Sequence, residues 1–199
     1  MSKFGIVLIA IVVILLLCVG GYISVKNTLV QRNEAVKSAW SQVDVVLQRR
    51  ADLIPNLVET VKGITKQEQS VFGEIAEARS RLLSSTTPAD KIAANGDLDR
   101  GLFKLLAISE RYPELKSNES FLRLQDELAG TENRIAVERK HYNDTLQDYN
   151  TYVQQFPASL FAASAGFKPN TAYFQATEQS RSVPKVDFST PTPQPAPAH

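Results

Sequence analysis

The sequence predicts an all-α protein, an elongated bundle of long antiparallel helices that follows one N-terminal transmembrane helix. Three observations support this fold class. Residues with high helix propensity are plentiful, and only 9 of the 199 residues are glycine. Apolar residues recur with a 3.5-residue period over long stretches, which is typical of helices that pack with a left-handed supercoil. No stretch alternates between apolar and polar residues in the way that predicts a β-strand.

The first apolar segment predicts a membrane anchor. From Phe4 to Val25 no charged residue occurs. As a helix this segment would be about 33 Å long, enough to cross the roughly 30 Å hydrocarbon core of a bilayer. A cleaved signal peptide fits less well, because the apolar region is long and only Lys3 precedes it. Lys26, Arg32 and Lys37 follow it, so the positive-inside rule favours a cytoplasmic domain over the alternative of an extracytoplasmic one.

A heptad pattern after the anchor predicts one long helix that ends near residue 84. Of its seam positions, only Arg50 and Glu68 are polar. Pro55 interrupts the sequence but not the heptad phase, so we expect a kinked but continuous helix there. The seam positions are Val36, Trp40, Val43, Leu47, Arg50, Ile54, Leu57, Val61, Ile64, Glu68, Val71, Ile75, Ala78 and Leu82.

Capping residues and prolines delimit the later helices. A second helix is predicted to begin at Pro88 and to end before Pro113, since a residue that precedes proline avoids the α conformation. Ser117 or Asn118 can cap a third helix, which Pro157 ends. A shorter helix in "ASLFAASAGF" is expected to follow and to pack on the bundle.

The predicted organisation has four parts. The C-terminal part is rich in proline and offers few apolar residues for burial, so it is expected to be disordered. The parts are a short tail (1–3), the transmembrane helix (4–25), the helical domain (26–188) and the Pro-rich tail (189–199).

Composition and motifs exclude several functions. The 22 basic and 21 acidic residues nearly balance, which excludes the strongly basic surface of a nucleic-acid-binding protein. Cys18 is the only cysteine, so no intrachain disulfide and no multi-cysteine metal site can form. Glu138 and His141 have the spacing of ligands in helical di-iron proteins, but such a site needs a second Glu-x-x-His motif. The sequence therefore predicts no catalytic residue, cofactor or metal, and the chain is not expected to be an enzyme.

Four charged residues occupy positions on the helix seams that are otherwise apolar: Arg50, Glu68, Glu132 and Arg139. An unpaired charge is costly to bury, so buried members of this group should form ion pairs that fix the register of the helices. Alternatively, their charged ends reach solvent while their stems cover the core. Glu132 is the candidate partner of Arg50, which lies just before Pro55.

A second hypothesis places an enzyme or sensor site around Asp52, Asn56 and Glu59, which share one helix face beside Pro55. The two carboxylates are separated by about 10 Å along the axis, too far to share a proton directly. A polar stripe on an amphipathic helix explains the same residues without any site.

The motifs "RNEAVKSAWSQVDVVLQRRADLIPNLVETVKG", "YPELKSNESFLRLQDELAGTENRIAVERKHYNDTLQDYN" and "PKVDF" resemble those of the LemA family. "FP" at 156–157 also matches, and the region from Ser84 to Asp97 departs most. The resemblance covers nearly everything from the anchor to Phe188. It implies a bundle of long helices on a single membrane anchor, with a short N-terminus outside the cell and the domain in the cytoplasm.

The function predicted from the sequence is that of a membrane-anchored, non-enzymatic helical scaffold or interaction protein of a bacterial inner membrane. Its expected partners are the lipid bilayer, through Phe4 to Val25, and a second copy of the chain or another protein. The candidate contact residues for a protein partner are aromatic: Trp40, Tyr142, Tyr149 and Phe156.

Overall fold

The structure, a computed structural model, describes residues 3–65 and 68–175. These residues form helices without any β-strand, which confirms the all-α class. The Pro-rich tail at 189–199 and the "PKVDF" motif lie outside the described residues. The helices are α1 (Lys3–Ile64), α2 (Gln69–Ser84), α3 (Pro88–Arg111), α4 (Pro113–Lys116), α5 (Glu119–Gln154) and α6 (Ala158–Ala162).

Helices α1 and α5 form a long antiparallel pair. Arg32 of α1 donates a hydrogen bond to the Asp148 carbonyl, whereas Arg50, further along α1, pairs with Glu132. Later residues of α1 therefore contact earlier residues of α5, so the two helices run antiparallel. Most of the predicted seam is buried, and Val43, Leu47 and Ile54 are at most 1% exposed.

The first part of α1 has no such cover. Its large apolar side chains before Val25 remain solvent-exposed, from 46% at Val19 to 81% at Phe4. Val25 is the first buried residue of the helix. By length and composition the segment could cross a membrane, and none of it is buried inside the protein.

The prediction of one helix up to residue 84 is wrong. Helix α1 ends at Ile64, and α2 runs back beside it and forms an antiparallel pair with α3. The heptad phase is kept across this reversal because α2 still needs an apolar seam, formed by Phe72, Ile75, Ala78 and Leu82. Folding back buries that seam inside the chain, where a single straight helix would leave it without a partner.

The helix continues through Pro55 without interruption. Proline has no N–H, so the Ala51 carbonyl loses its usual partner within the helix. Ala51 is fully buried, and its carbonyl accepts a hydrogen bond from Nε of Arg79 on α2, at 2.7 Å. The folded-back helix thus satisfies the carbonyl that the proline leaves free.

Asparagine side chains hold the C-terminal part of the described chain against α5. Asn143 accepts a hydrogen bond from the N–H of Phe174 and donates one to its carbonyl, at 3.0 and 2.9 Å. Asn150 forms the same pair of bonds with the backbone of Asn170, at 2.8 and 2.7 Å. We call residues 167–175 the C-terminal strap, because they run back along α5 from the end of α6.

Gly101 brings α3 close to α2, because a Cβ built at this position would lie 2.8 Å from Cγ1 of the buried Ile75. Gly101→Ala is therefore expected to lower the free energy of unfolding by about 1 kcal/mol, since overpacking (roughly 1–3 kcal/mol) outweighs the gain in helix propensity (about 1 kcal/mol). Urea unfolding of the full chain in detergent micelles, followed by circular dichroism, measures the change.

Gly96→Ala is the matched control, because it lies in the same helix with nothing within 4 Å of an added Cβ. This variant should be more stable than the wild type by about 0.5–1 kcal/mol, from helix propensity alone. Equal effects of the two substitutions would contradict the close approach at Gly101.

Candidate functional site

Arg50 is the centre of a cluster of polar side chains within the bundle. It is 6% exposed, and its Nη1 lies 2.6 Å from Asp99 Oδ1 and 2.9 Å from Glu132 Oε2. It also donates a hydrogen bond to Oδ1 of Asn95, at 3.1 Å. The Glu132 contact is an ion pair without hydrogen-bond geometry, since Oε2 accepts no hydrogen bond within the described chain.

Arg139 completes the cluster, which we call the polar junction and define as Arg50, Asn95, Asp99, Glu132 and Arg139. Its guanidinium lies 3.7 Å from Asp99 and 3.8 Å from Glu132. The two arginines and two carboxylates balance in charge, and they connect α1, α3 and α5 at one level of the bundle. The seam charges of α1 and α5 are therefore paired across helices, as the ion-pair hypothesis requires of buried charges.

Sequence reasoning missed Asn95 and Asp99. Asn95 is 1% exposed, and its Nδ2 donates to Oδ2 of Asp99 at 3.1 Å. The signal was present, because Asn95 lies three residues before Leu98 and seven before Leu102, a spacing that places it on the buried seam of α3.

An apolar cavity of about 250 Å³ adjoins the polar junction. Arg50 and Glu132 contribute to one part of its wall, and leucine side chains form most of the rest. The other residues that line this cavity are Leu57, Leu102, Leu106, Gln125, Leu128 and Ala129.

A larger cavity of about 540 Å³ lies at the turn between α1 and α2, beside Thr65 and Phe72.

The face around Asp52, Asn56 and Glu59 is exposed to solvent. Asp52 accepts a hydrogen bond from Gln48, and Glu59 pairs with Lys62, both on the same helix. None of the three residues lines either cavity. Among residues 3–65 and 68–175, no group of three His, Cys, Asp or Glu side chains could hold a metal ion. The structure therefore brings these residues into no common site.

Glu68, the remaining charged seam residue, lies at the turn before α2. Its carboxylate is 3.0 Å from Nη2 of Arg111 at the end of α3, and its side chain is 18% exposed. This ion pair joins the two ends of the α2–α3 hairpin. Glu68 therefore belongs to a separate contact and not to the polar junction.

Three of the four candidate contact aromatics lie inward. Tyr142 is completely buried and Tyr149 is 4% exposed, while Trp40 is partly buried against them. The ring of Trp40 lies 5.3 Å from that of Tyr142, and both contact Phe174 of the C-terminal strap. Tyr142 and Tyr149 are thus core residues that a partner cannot reach, whereas Phe156 is 80% exposed.

Phe103 is an exposed aromatic residue that sequence reasoning did not select. It is 74% exposed on α3. The buried positions Leu98, Leu102 and Leu105 define the inner face of that helix, and Phe103 falls outside it. The helical register of α3 places Phe103 outside the buried face, so the sequence pattern could have identified it as an exposed residue.

The two buried tyrosines differ in how their hydroxyl groups are satisfied. Within the described chain the Tyr142 hydroxyl has no hydrogen-bond partner, whereas that of Tyr149 donates to the Lys168 carbonyl at 2.9 Å. Tyr142→Phe should therefore leave the free energy of unfolding unchanged or raise it by up to about 1 kcal/mol. Tyr149→Phe should lower it by about 1 kcal/mol, since it leaves a carbonyl unpaired. Thermal unfolding of the two variants tests the contrast, and a larger loss for Tyr142→Phe would contradict it.

Alkaline pH should destabilise the bundle through the same residues. Burial raises the pKa of Tyr142, with a further rise from nearby Tyr173, and burial also raises the pKa of Tyr149. Because the unfolded chain then releases these protons first, stability is unaffected below about pH 10 and falls as the pH rises above it. A stability profile between pH 8 and about pH 11 should show a smaller loss for Tyr142→Phe than for the wild type.

Fold and site together define a class of protein: an all-α helical bundle, built on one long helix with an exposed apolar N-terminal part, whose interior charged groups pair with one another. The family model of the LemA family matches residues 39–188. This chain belongs to the LemA family, which confirms the resemblance found in its motifs.

Three relatives show how far the similarity extends. Magnetosome protein MamQ 2 of Paramagnetospirillum magneticum is 26% identical over 175 residues, which cover 75% of this chain and 64% of the relative. MamQ of Magnetospirillum gryphiswaldense is 25% identical, with 71% and 62% covered. Protein LemA of Metamycoplasma hominis is 24% identical, with 85% and 75% covered. The chain thus matches slightly less than two thirds of the length of the MamQ relatives.

Proposed function

We propose that this chain is a membrane-anchored, non-enzymatic scaffold or interaction protein of the bacterial inner membrane. One observation carries the proposal, namely the contrast along α1. Up to Ile23 its large apolar side chains are exposed, whereas from Val25 onward the same helix contributes to a packed core. Exposed apolar surface of this extent requires a non-aqueous surrounding, and the segment has the length of a bilayer crossing.

The interior of the bundle supports a structural role. The charged groups of the polar junction neutralise one another and join three helices, and Glu132, which also lines the adjoining cavity, is paired with both Arg50 and Arg139. The LemA family and the magnetosome relatives suggest a membrane-associated helical protein. None of the three relatives is named for a reaction.

The proposed topology places the N-terminus outside the cell and the bundle in the cytoplasm. Exposed Lys26 and partly buried Arg32 follow the apolar segment, in agreement with the positive-inside rule. Protease treatment of spheroplasts and of inverted membrane vesicles tests this arrangement. Cleavage of the bundle only in inverted vesicles is the expected result, and cleavage only in spheroplasts would place the domain outside.

The proposed interaction role is tested by proximity labelling from the C-terminus of the full chain in living cells. A recurring set of membrane proteins, or the chain itself, should be labelled more strongly than by a control that carries only residues 1–30. Phe103→Ser, which removes a 74% exposed aromatic side chain, provides a variant that should keep its fold and weaken labelling. Labelling indistinguishable from the anchor-only control, with a monomer in detergent, would contradict the role.

A further inference from the structure

Helix α6 lies at the point where the exposed apolar part of α1 ends. The ring of Phe161 contacts the ring of Tyr22 edge-on, with 5.6 Å between centroids and 79° between planes. Ala158 and Ala162 are buried at 1% and 3% and provide the inner face of α6. Helix α6 contacts both α1 and α5, so it closes the end of the bundle nearest the apolar segment.

The outer face of the same segment is apolar and uncovered. Phe156 is 80% exposed and Leu160 is 64% exposed. No charged residue occurs from Phe156 to Phe167. Fully burying a Leu or Phe side chain is favourable by about 1.5–3 kcal/mol, so these two residues would gain substantially from an apolar environment.

The position of residues 156–167 along α1 determines whether they lie in water or at the surface of the bilayer. Tyr22 precedes Val25 by three residues, which is about 4.5 Å along a helix. Phe161 therefore lies beside the last turn of the proposed membrane span. The position of α5 supports the same placement. Arg32 of α1 donates a hydrogen bond to the Asp148 carbonyl near the C-terminal end of α5, and Phe156 follows just beyond that end.

We propose that Phe156 and Leu160 insert into the interfacial region of the bilayer, in the leaflet that faces the bundle. This second lipid contact rests on the proposed membrane anchor. The exposed Lys26 follows Val25 directly, at the end of the proposed span, and provides positive charge for anionic headgroups. With one contact through α1 and a second through α6, the bundle is fixed in its rotation about the anchor.

Site-directed spin labelling of the full chain in vesicles of phosphatidylethanolamine and phosphatidylglycerol tests the proposal. The native Cys18, exposed in the middle of the apolar segment, reports on the anchor. In a Cys18→Ala background, Phe156→Cys and Leu160→Cys report on the proposed interfacial contact, and Val137→Cys, 66% exposed on α5, is the matched control in water. The measured quantity is the accessibility of each label to oxygen relative to a water-soluble nickel chelate.

The expected result is a several-fold higher ratio at positions 156 and 160 than at 137, and a still higher ratio at 18. A ratio at 156 and 160 equal to that at 137, with a high ratio at 18, would overturn the interfacial contact and leave the anchor standing. A low ratio at 18 would overturn the proposed anchor as well. Circular dichroism and Trp40 fluorescence confirm that each labelled variant is folded.

Discussion

Replacing Arg50 with alanine is expected to lower the free energy of unfolding by about 3 kcal/mol, near the low end of the range for breaking a buried ion pair. Arg50 is 6% exposed, and its removal leaves the carboxylates of Asp99 and Glu132 without their main partner. Their side chains are 29% and 42% exposed, so water compensates part of the loss. Urea unfolding of the detergent-solubilised full chain, followed by Trp40 fluorescence, measures the effect.

Arg49→Ala is the matched control, because Arg49 is the neighbouring residue on the same helix and faces solvent. Its substitution should change the free energy of unfolding by no more than about 0.5 kcal/mol. A further variant separates lost pairing from lost packing: Arg50→Met combined with Asp99→Asn removes one charge of each sign and leaves Glu132 paired with Arg139. It should recover a large part of the loss, and similar effects at positions 49 and 50 would contradict the role given to Arg50.

Removing the Arg79 side chain should destabilise the bundle in a way that depends on Pro55. In the wild type, Arg79→Ala leaves the buried Ala51 carbonyl without its donor, at an expected cost of about 1–3 kcal/mol. Pro55→Ala restores an N–H that can bond to the same carbonyl, so Arg79→Ala should cost much less in that background. A double-mutant cycle in urea unfolding measures the coupling.

The expected coupling energy between positions 55 and 79 is about 1–2 kcal/mol, within the range found for residues that share one hydrogen-bonded group. Arg81 on the same helix is a suitable comparison, since its guanidinium pairs with Asp97 and Glu77 at the surface. Arg81→Ala should show no coupling to Pro55→Ala. Additive effects at positions 55 and 79 would mean that the Ala51 carbonyl gains nothing from Arg79.

The sequence was sufficient to predict which helix residues are buried, because the spacing of apolar residues shows which face of a helix lies against the core. The seam residues Leu47, Ile54 and Ile75 were selected by their spacing and are at most 1% exposed. Glu132 was named as a candidate partner of Arg50 because both interrupt apolar seams, and the structure places the two side chains 2.9 Å apart. Ser117 or Asn118 was expected to cap α5, and it is the Asn118 side chain that accepts a hydrogen bond from the Phe121 N–H.

The reversal between α1 and α2 could not be predicted in this way. A heptad phase is the same for a helix that continues and for one that folds back, because both need one apolar face. The polar seam residue Glu68 lies near the turn, but a polar residue on a seam also occurs at Arg50, where the helix continues. The contact of Arg79 with the Ala51 carbonyl forms only because the chain reverses between α1 and α2, so it could not be predicted either.

The C-terminal strap was missed for a different reason. Its attachment relies on Asn143 and Asn150, whose side-chain amides bind backbone groups 31 and 20 residues further along the chain and follow no period. Sequence patterns report faces of helices, and a hydrogen bond from a side chain to a distant backbone leaves no such pattern. The same strap places Phe174 against the rings of Trp40 and Tyr142.

The continuity of α1 has a mechanical consequence. One uninterrupted helix leads from the apolar segment to the far end of the bundle, and the part from Val25 to Ile64 is about 59 Å long. With the apolar segment held in a bilayer, a change in its tilt of about 10° would move the far end sideways by about 10 Å. Bilayer thickness would then set how far from the membrane surface the α1–α2 turn stands. In the proposed arrangement α1 would act as a lever, with its shorter arm in the bilayer and its longer arm in the bundle.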